Sequence, residues 1–339
     1  MRIAVIGAGA VGGTLAALLH RAGHEVDITA RGDHLRAIQE NGLRMRGAWG
    51  THVASVAAAE RLARPPDLAI VATKIADAPD AMSANAGYLR DVPVVVVQNG
   101  LGGLRLAGRA LPSADMVGGL ALFAASFSRP GEVTVTAAAP LILGVPGRAP
   151  TLGALAAKEV LEAVLPVQVS GNFEGAQWTK LLINGINAVP AITGLSVQDA
   201  VGHRNLRKVI TRSMQETARV GAATGVRFDP IGPLLRHRIW VFAHLPVRFA
   251  QGLPMGLARG MGSVPNPGST LQSIRRGRLT EIDYLNGAVV DAAKDTPLTA
   301  PVNEALVAMV HQVERTGRHL PAVEVLRRTR VSAVRGAVR

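Results

Sequence analysis

Residues 3–31 read IAVIGAGAVGGTLAALLHRAGHEVDITAR. An apolar run leads into Gly7, Gly9 and Gly12 in GxGxxG register, a helix-length segment with Leu15, Leu18 and Leu19 follows, and a second apolar run ends at Arg31. Strand, glycine turn, helix and strand in that order predict the first βαβ half of a dinucleotide-binding domain. One glycine makes the tight turn, one lets backbone amides approach a pyrophosphate, and one lets the helix lie close to the strand. Gly7, Ala8, Gly9, Ala10, Val11 and Gly12 are therefore the candidate cofactor loop, with the diphosphate at the helix N-terminus. A secretory signal, the other reading of Arg2 ahead of an apolar stretch, does not suit the interleaved glycines or the amphipathic EVDITA run.

The end of the second run selects the cofactor. An NAD-binding domain usually places Asp or Glu there to hold the ribose 2′-hydroxyl, whereas this chain has Ala30 and Arg31. A guanidinium forms forked, charge-assisted hydrogen bonds to a 2′-phosphate, so NADPH is expected.

The 339 residues suit two domains. With no Cys there are no disulfides or thiolate metal sites, which fits a reducing cytoplasm. No apolar run reaches the roughly 18 residues of a membrane span, so a soluble, cytoplasmic protein is expected. The net charge of +13 raises the question of nucleic acid, but Arg and Lys are spread along the chain and aromatics make up only 3%. A dense basic cluster occurs only at Arg327, Arg328, Arg330, Arg335 and Arg339, so no nucleic-acid partner is expected. The positive field instead suits an anionic cofactor and an anionic substrate. The nine His residues show no metal-ligand spacing, and no metal is expected.

Further β-type runs at Leu68–Ala72, Val94–Val97 and Met116–Leu120 alternate with helical stretches, which predicts a mainly parallel, doubly wound sheet of Rossmann type. Functional residues of such sheets follow the carboxyl ends of strands, where Thr73, Lys74, Gln98, Asn99 and Gly100 fall. EVTVTA (132–137) and PLILG (140–144) read as an antiparallel pair closing the first domain. Beyond about Gly171 strand patterns give way to helices punctuated by Gly and Pro, so the division expected is a dinucleotide-binding domain over 1–171, an all-helical domain over 172–326 and a disordered basic tail over 327–339.

In the segment WTKLLINGIN (178–187), Lys180, Asn184 and Asn187 are spaced i, i+4, i+7, which on one helix puts a cation and two amides on a single face. Farther on, NPGSTLQSIRRGRLTEIDYLNG (266–287) delivers Ser269 at a helix start and Glu281 near the N-terminus of another. From spacing alone, Ser269 is equally an N-cap and Glu281 equally a first-turn acid.

These segments together carry a more specific resemblance. GAGAVG (7–12), RGDHL (31–35), NGL (41–43), TK (73–74), QNGL (98–101), PGEV (130–133), KLLIN (180–184), and GSTLQS with EIDYLNG (within 268–287) resemble the ketopantoate reductase (2-dehydropantoate 2-reductase) family from Met1 to about His319. The resemblance implies that Lys180 donates the proton to the substrate carbonyl oxygen as NADPH delivers hydride. It implies that Asn99 lies between cofactor and substrate, that Asn184 and Ser269, with Asn187 nearby, hold polar ends of a small 2-oxo acid, and that Glu281 sits near nicotinamide and lysine. Arg31 and Lys74 match cations around the adenosine phosphates. A carboxylate at Glu281 beside Lys180 would orient the ammonium and keep it charged against desolvation.

Two departures bear on the substrate. The second asparagine follows the lysine by seven residues and precedes Ala188-Val189, where the best-known members have eight and Pro-Leu; and Thr270 stands where Met is common. The leading reaction is 2-dehydropantoate to pantoate, in a cleft between the sheet's carboxyl ends and the helical domain. A different ketone or imine, or NADPH binding without turnover, is the alternative, and a homodimer is left open.

Overall fold

The computed structural model describes residues 1–112 and 114–331, which divide into two compact units, the first Met1–Glu174 and the second from Gly175 onward. The division falls in the first turn of a helix.

The first unit holds strands β1 (Arg2–Ile6), β2 (Glu25–Thr29), β3 (Leu43–Gly47), β4 (His52–Ala54), β5 (Ala57–Ala59), β6 (Leu68–Val71), β7 (Val94–Val97), β8 (Met116–Ala121), β9 (Ala124–Arg129), β10 (Glu132–Ala137), β11 (Leu141–Gly144) and β12 (Val167–Val169). Its helices are α1 (Ala10–Arg21), α2 (Gly32–Asn41), α3 (Ala78–Ser83), α4 (Gly103–Ala110) and α5 (Leu152–Glu162). Eight strands form one sheet in the order β12-β11-β8-β7-β6-β1-β2-β5, parallel except between β8 and β11. The inner strands LAIV and VVVV are buried throughout, as expected where helices cover both faces. Register pairs Ile6 with Thr29 and Val71, and Val71 with Val96. The segments after β1, β2, β6 and β7 therefore emerge along one edge.

EVTVTA and LILG are not an antiparallel pair. β10 belongs to a separate four-stranded sheet, β4-β3-β10-β9, while β11 joins the main sheet between β8 and β12. In β10, Val133 and Val135 are buried while Thr134 and Thr136 are not, so only one face is covered, and it joins Leu15, Leu18 and Leu19 of α1 in a shared core. LILG is buried at every residue and needs cover on both faces, which an interior place in the main sheet provides.

From α6 (Phe173–Asn184) onward the described residues are helical: α7 (Ala188–Thr193), α8 (Val197–Gly202), α9 (Arg204–Ala223), α10 (Arg236–His244), α11 (Val247–Ala250), α12 (Gly252–Gly260), α13 (Gly268–Arg275), α14 (Asn286–Ala293), α15 (Pro301–Thr316) and α16 (Ala322–Thr329). The unit is organised around α9. The Glu216 carboxylate on α9, mostly buried, accepts from the backbone N–H groups of Val302 and Asn303 at the start of α15 and from Asn303 Nδ2, where an anion also suits the helix dipole. Asn303 Oδ1 in turn accepts from Ser213 Oγ and Asn286 Nδ2, which pins the start of α14. The stretch 237–262, without a legible motif, forms most of α10 and all of α11 and α12; Gln215 Nε2 holds the end of α10 by donating to Phe242 O and Leu245 O.

Arg327 and Arg328, expected in a disordered tail, lie in α16, where both pair with Glu324. Arg330 is the C-cap of that helix, and Arg335 and Arg339 lie outside the described residues. Among the described residues no helix is long and apolar enough to cross a membrane.

Candidate active site

The glycine loop shows why Gly7 and Gly12 are needed. Gly7 has φ +101°, and a Cβ there would meet the backbone of Thr73 at 2.9 Å. A Cβ on Gly12 would sit 2.0 Å from Gly7 O, so only glycine allows α1 this close to the turn. Gly9, the N-cap of α1, faces open space, with nothing within 4 Å of a Cβ. Gly7 N–H donates to Thr29 Oγ1 and Ala8 N–H to Thr29 O, which fastens the loop to the end of β2. The first-turn N–H groups of α1 have no intrahelical acceptors, and with room above Gly9 they fit an anionic diphosphate.

The neighbouring strand ends carry the other candidates of this unit. Arg31 is exposed at the N-cap of α2. Lys74 is half-buried after β6, and Asn99 half-buried after β7. Between them lies a pair placed at the functional strand ends by the sequence but given no specific role there: Gln98 Nε2 donates to Thr73 O at 3.1 Å, while Gln98 Oε1 and Thr73 Oγ1 are buried without a hydrogen-bond partner. Leaving such groups unpaired costs about 1 to 3 kcal/mol each, so two together at the edge that carries the glycine loop fit a site that a polar ligand completes.

In the second unit Lys180 and Asn184 are one turn apart on α6. Lys180 has no ion pair among the described residues, and desolvation lowers its pKa to about 8. Burial sets this value. Asn184 is buried, and its Nδ2 has no acceptor. A desolvated ammonium and an unpaired amide donor on one helix face can together meet an oxygen-rich ligand.

Asn187 is not on that helix. α6 stops at Asn184, and Asn187 caps α7 after a turn through Gly185 and Ile186. Its Oδ1 lies 2.5 Å from where a Cβ of Gly268 would be, so the break turns it toward the start of α13, next to Ser269. Gly268 has φ +72°, and its N–H donates to Asn266 Oδ1. Ser269 is exposed and lies inside α13, whose N-cap is Pro267; it is not the cap. Glu281, half-buried, caps a 3-10 turn over Ile282–Tyr284 and does not belong to the first turn of α14. That segment is fastened on both sides to α15: Thr280 N–H donates to Glu314 Oε1 at 2.7 Å, and His311 bridges Asp283 and Glu314 at 2.8 Å each. Leu285 and Asn286 share a narrow crevice with Leu181 and Gly185, so the segment after Glu281 packs beside α6. No cluster of metal-ligating side chains occurs among the described residues.

Two family models match the chain, Ketopantoate reductase PanE/ApbA over residues 3–147 and Ketopantoate reductase PanE/ApbA C terminal over residues 172–314. The protein belongs to the ketopantoate reductase family of oxidoreductases. It is 28% identical over 323 residues to a 2-dehydropantoate 2-reductase of Pyrococcus horikoshii, covering 94% of this chain and 99% of that one. Among solved structures it is similar to a PanE/ApbA family ketopantoate reductase from Ralstonia eutropha, with TM-score 0.79, 28% identity and coverage of 94% and 100%. A D-mandelate dehydrogenase solved with NADH has the same fold, with TM-score 0.77, 22% identity and coverage of 93% and 99%.

Proposed function

We propose that the protein reduces a small 2-oxo acid with NADPH, with 2-dehydropantoate to pantoate as the leading reaction. The observation that carries this reading is the pairing on α6 of a desolvated Lys180, pKa about 8, with the unpaired Nδ2 of Asn184. Reduction of a ketone builds negative charge on its oxygen. Lys180 Nζ neutralises that charge by proton transfer, and at about 8 its pKa lies close enough to neutrality to make it a stronger acid than a free lysine while it stays mostly protonated. Asn184 donates to a second substrate oxygen, and Ser269 with Asn187 serves the polar end near the start of α13. Glu281 orients groups at the reacting centre.

The cofactor groups follow the first unit's edge. The loop from Gly7 to Gly12 takes the diphosphate, Arg31 and Lys74 the adenosine phosphates, and Asn99 the region between cofactor and substrate. Bound nicotinamide supplies the hydride. Arg31 in place of an acid supports NADPH over NADH, and the absence of Cys suits a cytoplasmic setting.

A second reading, another 2-oxo acid as substrate, is favoured by the early break after Asn184, which sets Asn187 on a separate helix. NADPH and NADH oxidation measured over a panel of 2-oxo acids that includes 2-dehydropantoate and phenylglyoxylate tests both. Turnover of 2-dehydropantoate well above the rest supports the leading reaction, preference for another member supports the second, and no turnover of any 2-oxo acid overturns both.

A further inference from the structure

His34, the third residue of α2, sits between two main-chain groups of opposite demand. Its Nε2 lies 2.7 Å from Ala8 O in the glycine loop, and its Nδ1 accepts from Gly131 N–H at 2.9 Å. Gly131 is the second residue of the two-residue Pro130–Gly131 turn between β9 and β10, with φ +76°. The ring meets Phe127 of β9 edge-on at 4.7 Å. A carbonyl on one side requires a hydrogen on Nε2, and an N–H on the other requires a bare lone pair on Nδ1, so only the neutral Nε2–H tautomer satisfies both contacts.

We infer that His34 is a positioning residue for cofactor binding, which in its neutral Nε2–H form ties the glycine loop to the helix capped by Arg31 and to the β9–β10 turn, and which when protonated keeps Ala8 but is pushed away from that turn, disturbing the loop's anchor. This rests on the cofactor reading of the glycine loop. Protonation puts a hydrogen on Nδ1 facing the Gly131 N–H, two donors with no acceptor between them. Burial lowers the His34 pKa and outweighs the opposing effect of the bond to Ala8, which keeps the ring neutral at physiological pH. The charged groups on the elements around it are Arg31, Asp33, Arg36 and Glu40 of α2, Arg44 and Arg46 of β3, Arg129 of β9 and Glu132 of β10. Asp33 pairs with Arg36, and Glu132 with Arg46 and Arg129. None of these charges is among the causes of the His34 shift. Three sequence-distant segments thus meet on one imidazole.

Two measurements test the inference. The ring nitrogen NMR spectrum of the ligand-free protein reads the tautomer directly; a protonated Nδ1 at neutral pH overturns it whether or not any cofactor binds. NADPH titration by fluorescence, at neutral pH and at an acid pH where the same NMR spectrum shows the His34 ring protonated, reads the consequence. Wild-type affinity should fall in acid. His34→Ala should bind about tenfold more weakly at neutral pH, by the loss of one to two hydrogen bonds. His34→Gln, whose amide nitrogen reaches the Nε2 position, should keep most of the affinity and show a smaller acid dependence than the wild type, the remainder coming from the 2′-phosphate. Unchanged binding by His34→Ala, or acid dependence as large in His34→Gln as in the wild type, overturns the inference. Failure of the wild type to bind either nicotinamide dinucleotide overturns the cofactor reading, and with it the ligand role of His34.

Discussion

The two units present their candidate ligand groups differently. The first offers mainly backbone: N–H groups at the start of α1, exposed by a glycine with open space above it and brought close by another whose Cβ would strike Gly7 O. The second offers side chains, Lys180 and Asn184 on α6, Asn187 at the cap of α7, Ser269 on α13 and Glu281 at a 3-10 turn. A backbone site is written in one contiguous motif and tolerates no added Cβ at Gly7 or Gly12. A side-chain site is gathered from distant segments and depends on where each is held.

The contrast is broken most directly at Lys180. Lys180→Ala should lower kcat by about 10²- to 10⁴-fold while NADPH affinity, measured by fluorescence titration, changes little. Near-normal kcat would move the proton donor elsewhere.

The glycine pair separates fold from ligand within the first unit. Gly12→Ala forces a carbon against Gly7 O and should destabilise the protein by about 1 to 3 kcal/mol in denaturant unfolding, weakening NADPH as well. Gly9→Ala should leave stability nearly unchanged and weaken NADPH alone. Loss of stability at Gly9, or none at Gly12, would break the account of the loop.

Arg31→Ala sharpens the cofactor choice. It removes a charge-assisted contact worth about 1.5 to 3 kcal/mol, so NADPH should bind roughly 10- to 100-fold more weakly with NADH nearly unaffected. Equal wild-type affinity for the two would sink the 2′-phosphate reading.

The pH profile follows from the desolvated lysine. The acid form is needed for reduction, so kcat/KM in that direction should be level below about 8 and fall as pH rises through it, by about tenfold per unit beyond. In the direction of alcohol oxidation the base form is needed and the limb reverses. A profile level well above this value would mean that Lys180 is not the acid.

The smallest effect is expected at Ser269, exposed and neutral. Ser269→Ala should raise KM by several-fold, about 0.5 to 1.5 kcal/mol, more than it lowers kcat. Comparison of a 2-oxo acid with its amide checks the assignment, since a hydroxyl that holds the carboxylate should matter only for the acid.

Much of the first unit was legible because its signals are local. Strand, glycine turn and helix follow one another within residues 2–21, and LAIV and VVVV announce buried parallel strands. The pairing of EVTVTA and LILG was misjudged although their patterns differ: one alternates and one does not, and alternation marks a sheet with one covered face. Thr73, Gln98 and His34 went unassigned because their meaning lies in bonds to other segments: Gln98 to Thr73 O, and His34 to Ala8 and Gly131.

In the second unit spacing identified Lys180 and Asn184 correctly as neighbours, since both lie on α6. It failed at Asn187 because helix periodicity does not record where a helix ends. The sequence by itself determined the family, the βαβ start, the helical character of the second unit and the residue types of both candidate sites, since each depends on local pattern or contiguous motif. Tertiary structure alone decided which strands share a sheet, that Asn187 turns toward Gly268, that His34 joins the glycine loop to Gly131, and that Lys180 is desolvated enough to titrate near 8. Those are properties of groups far apart along the chain, and only folding fixes their distances and their exclusion from water.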